Sequence, residues 1–257
     1  MMKWQSDGRG KLAQIGILTP HVDFVPESEF QAMAPDGVSI HSARVLLGVI
    51  APGGQISPKI GPDAVRAFAE PPFVDEAISL LSEVPLQVIV YAFTSSSYLL
   101  GMAADITMRE RLERRAAKIP LVIPAEAAIA ALRSLDCKRV ALVHPPWFPA
   151  ELDKLGANYF QQQGFEVVAH APAESLRTDF GEIIPDELYE WTVNHVPATA
   201  EAVFMGGNGM RAIGVIAALE QQLGIPVLTA NQVALWQALR IAGVDERLVN
   251  YGQLFTH

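Results

Sequence analysis

Short apolar runs rich in β-branched residues alternate with longer amphipathic stretches along almost the whole chain, and that alternation leaves few folds open. It is the pattern of parallel strands joined by helices. Strands are expected at Gln14–Thr19, Val38–Leu47, Gln87–Ala92, Leu121–Ile123, Arg139–Val143, Glu166–His170, Ala202–Met205 and Val227–Thr229. Helices are expected at Asp75–Ser82, Leu100–Ala117, Ala125–Leu135, Ala150–Gln163, Asp186–Asn194, Met210–Leu223 and Gln232–Ala242. The Gly- and Pro-dense segment Ala51–Pro72 reads as a loop. Its length suits a lid or wall over a pocket, or a plain surface excursion.

A weak internal repeat runs through the pattern. Ile119-Pro120-Leu121-Val122-Ile123 precedes a helix ending Ala131-Leu132-Arg133, and Ile225-Pro226-Val227-Leu228-Thr229 precedes one ending Ala238-Leu239-Arg240. Upstream of each copy a strand enters a turn of small residues: Phe93-Thr94-Ser95-Ser96-Ser97 in the first, Gly206-Gly207-Asn208-Gly209 in the second. Two similar lobes imply a pseudo-twofold α/β fold, with a site between the lobes that takes one turn from each. Such turns lie at the carboxyl ends of parallel strands, where open α/β sheets bind ligands.

Bulk properties exclude several classes. The 257 residues carry a net charge of −9, and an acidic surface repels phosphate backbones, so no nucleic-acid partner is expected. Half the residues are hydrophobic, enough for a large core; the composition also allows a homo-oligomer. Cys137 is the single cysteine, which excludes an internal disulfide and any multi-cysteine metal site. Met1–Lys11 is polar and unlike a signal peptide, and no apolar run reaches the ~18 residues of a membrane span. A cytoplasmic protein without a membrane partner is the expectation.

The two turns carry the candidate chemistry. Hydroxyls of Thr94 and Ser95, with backbone N–H groups at a helix start, suit a carboxylate or an enediolate; the same residues suit an ordinary N-cap. Asn208 can donate its amide to an oxyanion, and Gly209 lets backbone approach a ligand; a tight turn with an Asn cap would look the same. The glycines lack dinucleotide-fingerprint spacing. After the first strand, Asp23 is a candidate general base if burial raises its pKa, with His21 as a second candidate; both also fit a solvated loop. Arg44 could grip a substrate carboxylate or pair with a surface acid. His144, before Pro145-Pro146, is either a positioned donor or a satisfied polar residue. No metal-ligand cluster and no cofactor motif stands out, so neither a metal nor a cofactor is expected.

Several segments resemble known enzymes. Ile15-Gly16-Ile17-Leu18-Thr19-Pro20, Gly37-Val38-Ser39-Ile40-His41-Ser42-Ala43-Arg44, Arg139-Val140-Ala141-Leu142-Val143-His144-Pro145 and the run Leu219 to Leu228 resemble maleate isomerases. Val90-Tyr91-Ala92-Phe93-Thr94-Ser95 and Tyr251-Gly252-Gln253-Leu254-Phe255 resemble arylmalonate decarboxylase. The resemblance spans nearly the whole chain and points to the aspartate/glutamate racemase superfamily. It implies two pseudo-symmetric flavodoxin-like lobes, each a mostly parallel sheet flanked by helices, with a cofactor-free site in the interlobe cleft. One lobe would comprise 1–118 plus 227–257 and the other 119–226, the lobes exchanging their last helices. The superfamily uses cysteines on either side of its substrate, and the resemblance puts those positions at Phe93 and Gly207, which cannot transfer protons. It places Thr94, Ser95, Asn208 and Gly209 where the substrate carboxylate or enediolate binds, and Asp23 where maleate isomerases tend to carry an Asn.

Three functions follow as expectations. The first is a cofactor-independent lyase or isomerase of a small carboxylate or related carbonyl compound, acting through an oxyanion-stabilised intermediate without thiols. The second is a small-carboxylate binding protein that has lost its chemistry. The third is a hydrolase with a water activated by Asp23.

Overall fold

The computed structural model describes residues 8, 10–48, 61–177 and 182–256. Strands β1 (Ala13–Pro20), β2 (Val38–Val45), β3 (Val88–Tyr91) and β4 (Leu121–Val122) form one sheet in the order β2-β1-β3-β4. Strands β5 (Arg139–His144), β6 (Glu166–Pro172), β7 (Ala202–Met205) and β8 (Val227–Thr229) form a second in the order β6-β5-β7-β8. Every pairing is parallel. Each sheet therefore runs second-first-third-fourth, the doubly wound order in which the chain reverses direction between its first and third strands. The expected fold class and all eight expected strands are present.

Ten helices are described: α1 (Val25–Met33), α2 (Pro62–Ala69), α3 (Phe73–Leu81), α4 (Thr94–Leu100), α5 (Met102–Arg115), α6 (Pro124–Ser134), α7 (Ala150–Gln162), α8 (Pro185–His195), α9 (Ile216–Leu223) and α10 (Ala230–Ile241). Four departures from expectation have local causes. α1 carries Pro26 in its first turn, where proline is tolerated, and buries Glu29 among its apolar residues, which blurs the helical stripe. α2 falls inside the expected loop Ala51–Pro72; breakers flank it, but Val65 and Phe68 are buried, while residues 51–60 of that segment lie outside the described residues. The expected helix Leu100–Ala117 is cut at Gly101, whose φ of 80° ends α4 before α5 begins. The expected start at Met210 gives way to a 3-10 turn, Ile213–Val215, ahead of α9.

Helix α10 starts with a capping box in which Thr229 accepts from Gln232 N–H and the Gln232 side chain accepts from Thr229 N–H. It follows β8 of the second sheet yet packs on α1, α6 and β3 of the first. One hydrophobic cluster accordingly joins the halves: Ile15 and Val90 share it with Tyr98, Phe160, Phe204 and Val233. Burying such side chains contributes ~1.5–3 kcal/mol each, so the seam between the sheets is core. Among the described residues no helix is long and apolar enough to cross a membrane.

Candidate functional site

Four loops leave the carboxyl ends of the two strand pairs that flank the reversal points. Loop 20–23 follows β1, 93–95 follows β3, 147–148 lies after β5 and 207–209 follows β7. All four line one cavity of about 20 Å³, bounded by Pro20, Asp23, Phe93, Thr94, Ser95, Trp147, Phe148, Gly207, Asn208 and Gly209. The same reversal occurs in both sheets, and the loops at the two reversal points come together around this cavity. Seven of the ten candidate positions read from the sequence meet here; His144 is not part of the lining, and neither are His21 and Arg44.

Those two shape the loop instead. The Arg44 guanidinium donates to the Asp23 carbonyl at 2.9 Å and to the Pro20 and His21 carbonyls at 3.4 Å, and it pairs with Glu27. His21 accepts from Leu47 N–H through Nδ1 at 3.0 Å. Between them they tie the 20–23 loop to the end of β2. The loop in turn presents Asp23, which is buried and accepts from Val25 N–H at 3.0 Å. Burial raises its carboxyl to about 6, against the pull of that hydrogen bond and of Arg44.

The turns of the two halves meet directly. Asn208 Oδ1 accepts from Thr94 N–H at 3.0 Å and from the Thr94 hydroxyl at 2.6 Å. The Thr94 N–H, expected to be free for an anion, is thus spent on Asn208. Ser95 is buried and opens on the cavity. Phe93 roots its ring in the first-sheet core against Phe68, centroids 4.2 Å apart and tilted by 42°. Gly207 has no room for a side chain, because a Cβ there would lie 2.3 Å from Pro145 Cγ.

Behind the lining lies a polar chain that the sequence did not announce. Asn208 Nδ2 donates to Asn231 Oδ1 at 2.8 Å, and Asn231 Nδ2 donates to Glu29 Oε2 at 2.8 Å and to the Asn208 carbonyl at 2.9 Å. Glu29 Oε1 accepts from Ala212 and Ile213 N–H at 2.8 and 3.1 Å. Burial lifts the Glu29 carboxyl to about 7 in spite of these donors. Nothing in the sequence marks this chain, because Glu29 and Asn231 are 202 residues apart.

His144 stands one layer back. It is fully buried, with Nδ1 at 2.7 Å from Asp153 Oδ1, and Phe148 stacks on its ring between it and the cavity. Asp153 holds His170 Nδ1 with its other oxygen at 2.6 Å. Burial keeps His144 below the usual imidazole value, against the pull of Asp153. Cys137 lies before β5, at the opposite end of that strand from the cavity, with Sγ 3.5 Å from the Leu135 carbonyl. A roomier hollow of about 1060 Å³, lined by Gln14, Pro35 and Val38–His41 among others, sits at the amino ends of β1 and β2, away from the reversal points. Among the described residues no three His, Cys, Asp or Glu side chains converge as a metal site.

The family model for arylmalonate decarboxylase matches residues 72–255. A maleate isomerase of Pseudomonas putida KT2440 is 24% identical, with 96% of this chain and 98% of that one aligned. The arylmalonate decarboxylase of Bordetella bronchiseptica is 24% identical, with 94% and 95% aligned. A variant of the maleate isomerase Iso from Pseudomonas putida S16, crystallised with maleate, superposes with a TM-score of 0.83 at 21% identity, covering 95% of this chain and 97% of that one. A Nocardia farcinica maleate cis-trans isomerase holding a covalently bound succinylcysteine intermediate superposes with a TM-score of 0.82 at 20% identity, covering 95% and 98%.

Proposed function

The chain belongs to the arylmalonate decarboxylase family, and from that premise we propose a cofactor-independent lyase or isomerase of a small carboxylate or related carbonyl compound, with Asp23 moving the proton. One observation carries the reading: a single buried carboxylate, raised to about 6, faces Ser95, Asn208 and Gly209 across a cavity built by all four reversal-point loops. A carboxyl with that value exists in both forms near neutral pH, as a group that takes and returns a proton should. The relatives are maleate isomerases and an arylmalonate decarboxylase, which supports proton transfer or loss of carbon dioxide next to a carboxylate. A cysteine adduct of the Nocardia kind is not available here, because the one thiol is at the far end of β5.

In the isomerising direction, ionised Asp23 takes the proton from the carbon beside the substrate carboxyl. The C–H electron pair moves into the carboxyl group as an enediolate, and the protonated Asp23 delivers the proton to another carbon conjugated with that enediolate, so that the double bond changes place. In the decarboxylating direction, the electron pair of the breaking C–C bond forms the same enediolate as carbon dioxide leaves, and protonated Asp23 supplies the proton. Either way negative charge grows on oxygen, where the Ser95 hydroxyl, the second amide hydrogen of Asn208 and the Gly209 N–H supply donors. Trp147 and Phe148 close the cavity and keep bulk water off the intermediate. At about 20 Å³ the closed cavity suits one water, so the 147–148 loop must shift to admit a substrate.

The test is incubation with maleate, phenylmalonate and their monoamides in deuterium oxide, followed by NMR. We expect deuterium at the carbon next to a carboxyl, and a loss of at least ~100-fold in Asp23→Asn. Unchanged turnover in that variant removes Asp23 from the mechanism. Thermal stabilisation by these compounds without any product identifies a binding protein instead. The one-water cavity beside Asp23 favours a second reading, hydrolysis by an activated water. Labelled solvent oxygen in the product, with no deuterium on carbon, decides for it.

A further inference from the structure

We propose that Glu29, which does not line the cavity, is the positioning residue that fixes the direction of the interlobe amide chain, and so decides what Thr94 and Asn208 offer a ligand. The inference deepens the functional reading above, since it concerns the same cavity.

The argument is one of donors and acceptors. Glu29 meets donors on both sides: two backbone N–H groups at Oε1 and the Asn231 amide at Oε2. An ionised carboxylate is the side chain that accepts at both oxygens and donates at neither. With Glu29 ionised, the Asn231 nitrogen must face it, and the Asn208 carbonyl on the same side of Asn231 demands the same orientation. Asn231 Oδ1 then faces Asn208, so Asn208 must turn its nitrogen inward and its Oδ1 toward Thr94. The Thr94 hydroxyl hydrogen follows, pointing at Asn208. Each link is buried, and a buried mismatch of two donors costs as much as a lost hydrogen bond.

The order of the chain has a consequence at the cavity. Thr94 spends both its N–H and its hydroxyl hydrogen on Asn208, so its oxygen offers only lone pairs there. The donors left for an oxyanion are the Ser95 hydroxyl, one amide hydrogen of Asn208 and the backbone at Gly209. Thr94 is then a holder of Asn208 and not itself an oxyanion donor.

Glu29→Gln keeps the size and shape and changes only the pattern of donors. Its amide nitrogen must oppose either Asn231 or the backbone N–H groups of Ala212 and Ile213, so one end of the chain lets go. Amide hydrogen exchange of Thr94, read by NMR on the whole ligand-free protein above pH 7, where Glu29 is ionised, reports the far end. We expect Thr94 to exchange at least ~10-fold faster in Glu29→Gln, while Val90 in β3 and Phe204 in β7 keep their rates. Asn231→Ala, which leaves the carboxylate in place and cuts the chain at its middle, should give the same local acceleration. Asp23→Asn, which disables the proposed chemistry, should leave Thr94 protected, so the two proposals fail separately. Thr94 exchange unchanged in both chain variants, or rising only in step with Val90 and Phe204, overturns the assignment.

Discussion

The turn after β3 and the turn after β7 occupy the same place in two copies of one topology, yet they fill it in opposite ways. After β3 the chain puts a large side chain, Phe93, and roots it on Phe68 of its own half. After β7 it puts no side chain at all, because others have taken the space. A Cβ on Gly206 would lie 2.4 Å from the Tyr98 hydroxyl, which reaches across from α4, and one on Gly207 would strike Pro145. The charges divide as well. The first half holds three buried acids, Asp23, Glu29 and Asp105, whose carboxyls burial raises, while the second holds the His144–Asp153 pair, in which both groups are lowered. The repeat thus keeps a backbone path and not a chemistry. The first half supplies the acid and the hydroxyls, and the second supplies an amide and close backbone.

The largest expected effect tests the rooted side of that contrast. Phe93→Ala should cost ~3–5 kcal/mol of stability in urea unfolding, the usual range for emptying a buried aromatic site. A loss under ~1 kcal/mol would mean that the ring is not anchored, and the two turns would then be alike. Next comes pH. Folding raises Asp23 and Glu29, so the native state holds their protons more tightly than the unfolded chain. Their contribution is full at acid pH and is lost as pH rises through about 6 for Asp23 and about 7 for Glu29. His144 runs the other way, its contribution present above 6.5 and lost as pH falls. In Glu29→Gln the fall in stability between pH 4.5 and about 7 should shrink by roughly 3 kcal/mol, measured by urea unfolding across that window. An unchanged slope would show that Glu29 is not the buried acid described, and would leave the pH dependence to Asp23 and Asp105, each raised to about 6.

The strands were legible because buried parallel strands read as continuous apolar runs, as Val88–Tyr91 and Ala202–Met205 do. The turns were legible because hydroxyls and glycines stand out after such runs. Asp23, Thr94, Ser95 and Asn208 could therefore be named as neighbours before any contact was seen. Arg44 and His21 were legible as polar residues but not as loop ties, since their partners are mostly backbone carbonyls and an N–H that no sequence marks. α2 hid between Gly61-Pro62 and Pro71-Pro72, where breakers outweighed the amphipathic spacing of Val65 and Phe68. Glu29 and Asn231 were invisible for a different reason. A polar residue within a helix usually signals a solvated face, and only the crossing of α10 onto the first sheet turns both inward.

The smallest effects lie on the glycine side, where the contrast can be taken apart. Gly206→Ala should destabilise by ~1–3 kcal/mol, the usual cost of an extra carbon in a packed core, because the new methyl meets the Tyr98 hydroxyl. That hydroxyl is buried and has no hydrogen-bond partner among the described residues. Removing it should therefore cost nothing; Tyr98→Phe should melt within ~0.5 kcal/mol of the parent, or above it, since a buried unpaired polar group is itself a penalty. The two changes should also couple. In the double variant, the phenylalanine ring leaves room for the alanine methyl, and much of the Gly206→Ala cost should return. If the double variant instead loses the sum of the single losses, the glycine is required by its own backbone and not by Tyr98. The second turn would then be bare for a reason internal to its half, and the opposition between a turn filled from within and a turn filled from across the seam would collapse.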